Sequence, residues 1–401
     1  MRCEGNHFVC TFGKFFSSVA FFVETIQLHV ENLHPSIEQY LKELLVTGSF
    51  NTDNRFAEEA VRWLNLNFKP AYSLLTNSCT DALEMSGLIL DLKEGDEVIV
   101  PAYTYVSTAN AYCLRTRELR FADCLPNRPV VDLSTIEPLV TANTKAIVVM
   151  HYGGIAVEMN ALVDFCKQHQ IALIEDAAHA IGATYLGRPL GSYGDMGSIS
   201  FHYTKPISCG EGGCILLNRE KWISKANCIY EKGTNRKFYK EQQLSKYEWL
   251  DLGSSYAMSG IQACVLAAQL QSINEVITKR VKIWQTYMEL LAPLCQKGHF
   301  QLPDVPEGNQ INGSYFFIKL QEPDRRDDFI HFLKNASIES GFHYLALHRS
   351  PFYANKRNQF LPNADSFEAS LIRLPIHTLL QPDQLEYITA IIDSYFGKQV
   401  V

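Results

Sequence analysis

No block of lysines and arginines occurs in this chain, and its formal charge is −7. A nucleic-acid binder needs clustered positive charge to neutralise phosphates, so nucleic acid is not an expected partner. Short basic groups such as Lys237-Phe-Tyr-Lys240 read as solvated helix faces. The 11 cysteines contain no CxxC pair, and the 12 histidines contain neither HExxH nor any Cys/His spacing suited to a metal. An odd set of cysteines, several inside apolar runs (Cys113, Cys166, Cys214, Cys264), reads as reduced thiols in a cytoplasmic enzyme. No hydrophobic run reaches the ~20 residues of a membrane span. The N-terminal stretch Phe15–Val23 is apolar but too short, and the charge flanking it is weak for a signal peptide. Residues 1–33 are therefore expected to be an extension, or the product of a start placed too far upstream. GxGxxG and the Walker lysine are missing as well.

What is present is ordinary globular composition, 47% hydrophobic and 20% charged, over 401 residues. That length is too great for one compact core and suits a large domain at 34–270 followed by a small α+β domain at 271–401. Ile37, Tyr40, Leu41, Leu44 and Leu45 repeat at helical spacing after His34-Pro35, and Phe56, Ala60, Trp63 and Leu64 repeat it again. From residue 70, short apolar runs alternate with helical stretches. Glu97–Pro101, Leu119–Asp123, Ala146–Met150, Ile171–Glu175, Ser198–His202 and Gly213–Asn218 read as strands. This alternation predicts a mostly parallel sheet covered on both faces. One long helical stretch is expected over Met258–Leu291. Beyond it, strands are expected at Tyr315–Lys319 and His343–Leu345, with a helix at Asp327–Lys334.

Ligands of open α/β sheets bind at the carboxyl ends of strands, and four segments fall there. Thr76-Asn-Ser-Cys-Thr-Asp-Ala-Leu83 leads into a helix whose free N–H groups and hydroxyls suit a phosphate, although Ser78-x-x-Asp81 reads equally well as a helix cap. Asp176, in Ile174-Glu-Asp-Ala-Ala-His179, either caps the next helix or holds a protonated ring nitrogen. Lys205 ends Ser198-Ile-Ser-Phe-His-Tyr-Thr-Lys205, and Pro206 biases it to an extended or turn backbone. It is either a loop-tip lysine or a partly desolvated amine beside another cation, a setting that favours a nucleophilic, Schiff-base-forming amine. Cys209-Gly-Glu-Gly-Gly-Cys214 is by itself a loop signal.

The order and spacing of SCTDAL, EDAAH and SFHYTKPISCGEGG resemble the DegT/StrS-type sugar aminotransferases, which have the type I (aspartate aminotransferase-like) fold with a seven-stranded sheet. The resemblance runs from about residue 34 to 395. It implies pyridoxal 5′-phosphate (PLP) as cofactor and Lys205 as the residue that carries it. By the same resemblance Asp176 partners the pyridine nitrogen, His179 lies against the ring, Tyr105 stacks on it, and Cys79, Thr80 and Ser200 hold the phosphate. Where many members place a phosphate-binding Asn donated by the partner subunit, this chain has Ala257, so Asn235 or Ser255 is expected to compensate across a homodimer. Pro206 also replaces the Asn that often follows the lysine. His343, Tyr344 and His348 are expected to read the sugar nucleotide, with Arg373 on phosphate.

Finer segments, Pro101–Asn110, Glu231–Arg236, Gly253–Ser259 and Phe342–His348, resemble the transaminases that form dTDP-4-amino-4,6-dideoxygalactose for polysaccharide antigens. They imply dTDP-4-keto-6-deoxyglucose and L-glutamate as substrates. A 3-keto sugar nucleotide and a non-catalytic PLP-binding relative are the alternatives. A PLP-dependent sugar dehydratase of the same fold is disfavoured, because that class carries His where Lys205 stands.

Overall fold

The computed structural model describes residues 25–31, 33–240, 245–353 and 359–397. The apolar stretch Phe15–Val23 lies outside them. Seven strands make the main sheet: β1 (Tyr72–Thr76), β2 (Glu97–Pro101), β3 (Glu118–Ala122), β4 (Thr144–Met150), β5 (Ala172–Asp176), β6 (Met196–Ser200) and β7 (Gly213–Leu217). Their order is β1-β7-β6-β5-β4-β2-β3. Neighbours from β6 through to β3 are parallel, and β7 is antiparallel to both β1 and β6. The expected mostly parallel seven-stranded sheet is what forms. Every residue of β2, β6 and β7 is buried, because both faces of the sheet are covered. Such strands read as continuous apolar runs rather than as alternation.

The helices of this part include α1 (Ser36–Thr47), α2 (Arg55–Phe68), α3 (Cys79–Ile89), α4 (Ser107–Cys113), α5 (Met159–His169) and α6 (Gly260–Leu270). The stretch expected as one helix over Met258–Leu291 is two. After α6 the chain breaks at Ser272, whose φ of −101° and ψ of 6° are not helical, and α7 (Ile273–Gln296) follows. The Ser272 hydroxyl donates to the Gln269 carbonyl, offering the backbone a partner outside the helical ladder.

A second core gathers Ile283, Tyr287, Leu291, Phe316, Ile318, Phe329, Ile372 and Ile388. It is built by α7, α8 (Arg326–Asn335), α9 (Pro382–Gly397) and a small antiparallel sheet of β8 (Phe300–Gln301), β9 (Phe316–Leu320) and β10 (Leu371–Leu374). The strand expected at His343–Leu345 does not form. Gly341 makes an isolated bridge to Arg373, and the chain then leaves the sheet. The side chains of His343 and Tyr344 bond to Arg373 and His179 instead of alternating across a sheet.

Residues 25–31 run between the two cores. Ile26 is buried in the second core and exchanges backbone bonds with Ser337 and Glu339. Farther along, His29 Nε2 donates to the Tyr203 carbonyl, and Ser208 Oγ donates to Glu31.

Candidate active site around Lys205

β6 and β7 are adjacent and antiparallel, so the loop 201–212 joins them as a hairpin with no crossover. This places Lys205 on a loop at the carboxyl end of β6. Thr76, Gly213 and Ser200 are paired across that edge of the sheet. A Cβ on Gly213 would lie 2.4 Å from the Cys79 nitrogen and 2.5 Å from the Ser78 carbonyl carbon. Only glycine therefore lets β7 begin beneath the first turn of α3.

In that turn Ser78 is the N-cap and accepts from the Asp81 N–H at 3.0 Å. The N–H groups of Cys79 and Thr80 occupy the first two helical positions, which have no intrahelical acceptor. Thr80 Oγ1 donates to Ser107 Oγ at 2.8 Å, which ties α3 to the start of α4. Burial, and next the nearby Asp176, push the Cys79 thiol up, so it stays protonated and uncharged beside this edge.

Asp176 ends β5 and is buried. Its Oδ2 accepts from Thr108 Oγ1 at 2.6 Å and its Oδ1 from the Ala178 N–H at 3.1 Å. Burial raises its carboxyl above the usual carboxylate range, and Thr108, Ala178 and Lys205 restrain that rise. The preceding residue, Glu175, faces the other way. It accepts from the N–H groups of Gly191 and Gly194 and from His151 Nε2. His151 Nδ1 accepts from the Val157 N–H, which leaves the proton on Nε2. The backbone carrying Asp176 is thus pinned from behind.

Lys205 Nζ donates to Tyr315 Oη at 3.2 Å. The guanidinium carbon of Arg373 stands 4.0 Å from the centre of the Tyr315 ring, and Arg373 Nη1 donates to His343. Burial, then Arg373 and Lys205, bring the His343 imidazole down to about 2. Burial, then Lys205, holds His179 well below its ordinary value. Both rings are neutral at working pH. His179 Nδ1 accepts from the Gly153 N–H at 3.3 Å, so its Nε2 proton is donated to Tyr344 Oη at 3.1 Å. Tyr105 is 56% exposed at the mouth, with its ring 5.9 Å from that of Tyr344.

The structure therefore brings Lys205, Asp176, His179, Tyr105, His343, Tyr344 and Arg373 to one end of the sheet, with Cys79, Thr80 and Ser200 along its edge. It does not bring His348 or Asn235. His348 Nε2 turns to Asp365 at 3.3 Å. The Asn235 amide is committed to its own loop, donating to the Lys246 carbonyl and accepting from the Glu248 N–H, each at 2.9 Å. These two bonds hold the Asn235 side chain on its own loop, away from Lys205. Ala257 bridges Thr76, and Asn77 Nδ2 donates to the Ser255 carbonyl, so the segment 255–257 does lie beside the start of α3.

Three residues of the cluster escape a reading of the sequence. Thr108 and Ser107 sit in a segment whose helical character hides their hydroxyls. Tyr315 opens an apolar strand and reads as core.

The residues present fit PLP. A buried carboxylate short of a cation suits a protonated ring nitrogen. Free N–H groups at a helix start suit a phosphate dianion, each charge-assisted bond contributing about 1.5–3 kcal/mol. The buried Arg373 Nε has no hydrogen-bond partner among the described residues and is an available donor to a substrate anion. Among those residues, no group of three His, Cys, Asp or Glu side chains could hold a metal, and no helix is long and apolar enough to cross a membrane.

The chain shares its fold with several solved structures. The aminotransferase TlmJ from Streptoalloteichus hindustanus superposes with a TM-score of 0.85 at 22% identity, covering 93% of this chain and 99% of TlmJ. Spr1654 from Streptococcus pneumoniae, in its PMP form, gives 0.86 at 23% identity, covering 93% and 99%. Helicobacter pylori PseC, an aminotransferase involved in pseudoaminic acid biosynthesis, gives 0.85 at 21% identity, covering 94% and 100%. In sequence, the uncharacterized protein MJ1066 of Methanocaldococcus jannaschii is 31% identical over 332 residues, which are 78% of this chain and 83% of MJ1066. The sequence model of the DegT/DnrJ/EryC1/StrS aminotransferase family matches residues 31–393. With almost the whole chain matched, this protein belongs to the DegT/DnrJ/EryC1/StrS aminotransferase family and is a PLP-dependent aminotransferase.

Proposed function

We propose that this aminotransferase moves the amino group of L-glutamate onto a nucleotide-linked keto sugar, with dTDP-4-keto-6-deoxyglucose as acceptor and dTDP-4-amino-4,6-dideoxygalactose as product. The observation that carries a transamination reading is the convergence of one lysine amine, one buried acid and one helix start at the carboxyl edge of the sheet. The sugar reading is supported by the resemblance of Pro101–Asn110, Glu231–Arg236, Gly253–Ser259 and Phe342–His348 to transaminases of that product. It is also supported by Arg373, whose half-buried guanidinium suits a substrate phosphate.

When bound, PLP supplies an electron-withdrawing pyridinium ring that accepts carbanion charge. The remaining work falls to the chain. Lys205 would carry the cofactor, and its amine is the group placed to move a proton at the substrate carbon. Asp176 keeps the ring nitrogen protonated through a charge-assisted bond. The N–H groups of Cys79 and Thr80, with the Ser200 hydroxyl, hold the phosphate. Neutral His179 fixes Tyr344 over the entrance beside Tyr105. Mass spectrometry and NMR of the purified enzyme mixed with L-glutamate and dTDP-4-keto-6-deoxyglucose should reveal 2-oxoglutarate and an axial 4-amino sugar. A 3-amino product from the matching 3-keto nucleotide, with no 4-amino product, would replace this acceptor assignment.

The active form is proposed to be a homodimer with shared sites. Tyr247, Trp249, Leu250 and Leu252, close together in the chain, are all exposed, Trp249 to 80%. Single exposed apolar residues are ordinary, but a contiguous group marks an interface. Sedimentation should give a dimer, and Trp249→Glu should shift it toward monomer and lower the turnover. A fully active wild-type monomer would overturn the idea.

A further inference from the structure

We propose that Tyr315 is the proton partner of Lys205: its phenolic oxygen takes a proton from the lysine ammonium and later returns it. The lysine is then a neutral amine whenever it must bond to the cofactor. The inference rests on the assignment of Lys205 as the cofactor-bearing residue and adds a second reacting group to it.

The geometry is specific. Tyr315 Oη lies 3.2 Å from Lys205 Nζ. The residue is buried immediately before β9, and the fully buried Arg280 fixes its backbone by donating to the carbonyls of Gly313 and Ser314 at 3.0 Å each. Its ring is held on one side by Arg373, whose guanidinium carbon is 4.0 Å from the ring centre, and meets the His179 ring edge-on at 4.6 Å. Packed against it are Lys205 from the loop 201–212, Arg280 from α7, Arg373 from β10, His179 from the segment after β5, His343 and Tyr344 from the segment after α8, and Tyr152 after β4. The two histidines are neutral, so the charge around the phenol is cationic. Burial alone would push the Tyr315 phenol up, but Lys205, Arg373 and Arg280 outweigh it and bring it below the ordinary tyrosine value. A phenol in that setting exchanges its proton with a neighbouring amine at a working pH.

The exchange is balanced. One lysine N–H bond breaks and one tyrosine O–H bond forms, turning ammonium plus phenolate into amine plus phenol. Attachment of that amine to an aldehyde then joins nitrogen to carbon, and the aldehyde oxygen leaves as water with both amine hydrogens. Tyr315 takes no part in electron transfer and needs no further reactant.

Tyr315→Phe keeps the ring against Arg373 and His179 and deletes the oxygen. Mixing PLP with the apoenzyme and following the rise of visible absorbance should show attachment slowed about 10²-fold, the lower end of what a placed acid–base group contributes, with the final amplitude retained. Ultraviolet titration of the apoenzymes should show one phenol ionising below the ordinary tyrosine range in wild type and missing from Tyr315→Phe. In Lys205→Met the same phenol should ionise at higher pH. Attachment at the wild-type rate across the pH range, with no difference in the phenol titrations, would overturn the proposal while leaving Lys205 in place. Borohydride reduction followed by peptide mapping separates the two assignments, since label on another residue ends both. If Tyr315→Phe does not fold, the comparison of Lys205→Met with wild type decides alone, and an unmoved phenol titration overturns the proposal.

Discussion

Lys205→Ala is expected to abolish the visible absorption band of the PLP-loaded enzyme and to lower turnover by about 10⁴-fold, the upper end of what a positioned acid–base group contributes. The fold should survive, because the lysine amine makes one bond, to Tyr315 at 3.2 Å, and Asp176 keeps its bonds from Thr108 and Ala178 when the lysine is gone. Far-ultraviolet circular dichroism should therefore match wild type. A variant that kept both the band and normal turnover would refute the role given to this residue. Soluble PLP would remain bound through the α3 start and Asp176, so loss of the band should exceed loss of phosphate-bearing ligand measured by equilibrium dialysis.

Asp176→Asn separates charge from shape and should move two measurements in opposite directions. The substitution keeps the side-chain outline, and the Thr108 hydroxyl can turn to accept from the new amide. Turnover is expected to fall about 10²–10³-fold, as when one preorganised electrostatic group is removed from an active site. The apoenzyme, however, should unfold at a higher temperature than wild-type apoenzyme at neutral pH. The sign follows from linkage. Burial raises the folded-state carboxyl above its unfolded value, so above the unfolded value the charged group opposes folding, and removing the charge relieves that cost. In the presence of PLP the order of thermal midpoints should reverse, because wild type regains a cation for its buried acid. An apoenzyme destabilised by Asp176→Asn would show that Thr108 and Ala178 already satisfy the carboxylate fully.

The strands of the main sheet were legible because the middles of β2, β4 and β5 (Val98–Val100, Ala146–Met150 and Leu173–Ile174) are buried and apolar without a break. Lys205 and Asp176 were legible for a related reason. Asp176 ends such a strand and Lys205 follows one on the loop 201–212, at the edge where hydration is lost unless the charge has a use. Tyr315 was not legible. It lies 110 residues from its partner lysine, and in one dimension it is one more aromatic in Tyr315-Phe-Phe. His348 lies elsewhere than its place in the sequence suggests. It follows Tyr344 by four residues and looks like its companion, yet a short 3-10 turn at Leu347–Arg349 carries it toward Asp365. The break at Ser272 escaped because apolar periodicity continues on both sides of it, and a single hydroxyl decides the matter.

The fastening of residues 25–31 bears on how this molecule is assembled. His29 and Glu31 clasp the hairpin that carries Lys205 across separations of 174 and 177 residues, and Leu28 is tied to Glu339 across 311. Contacts of such high order are costly to close and form after local ones. On a ribosome Ile26 has no Ile338 to pair with until that residue has emerged. The clasp on the hairpin can thus close as soon as Tyr203 and Ser208 are made, whereas the anchor of the same segment in the second core must wait for Ile338.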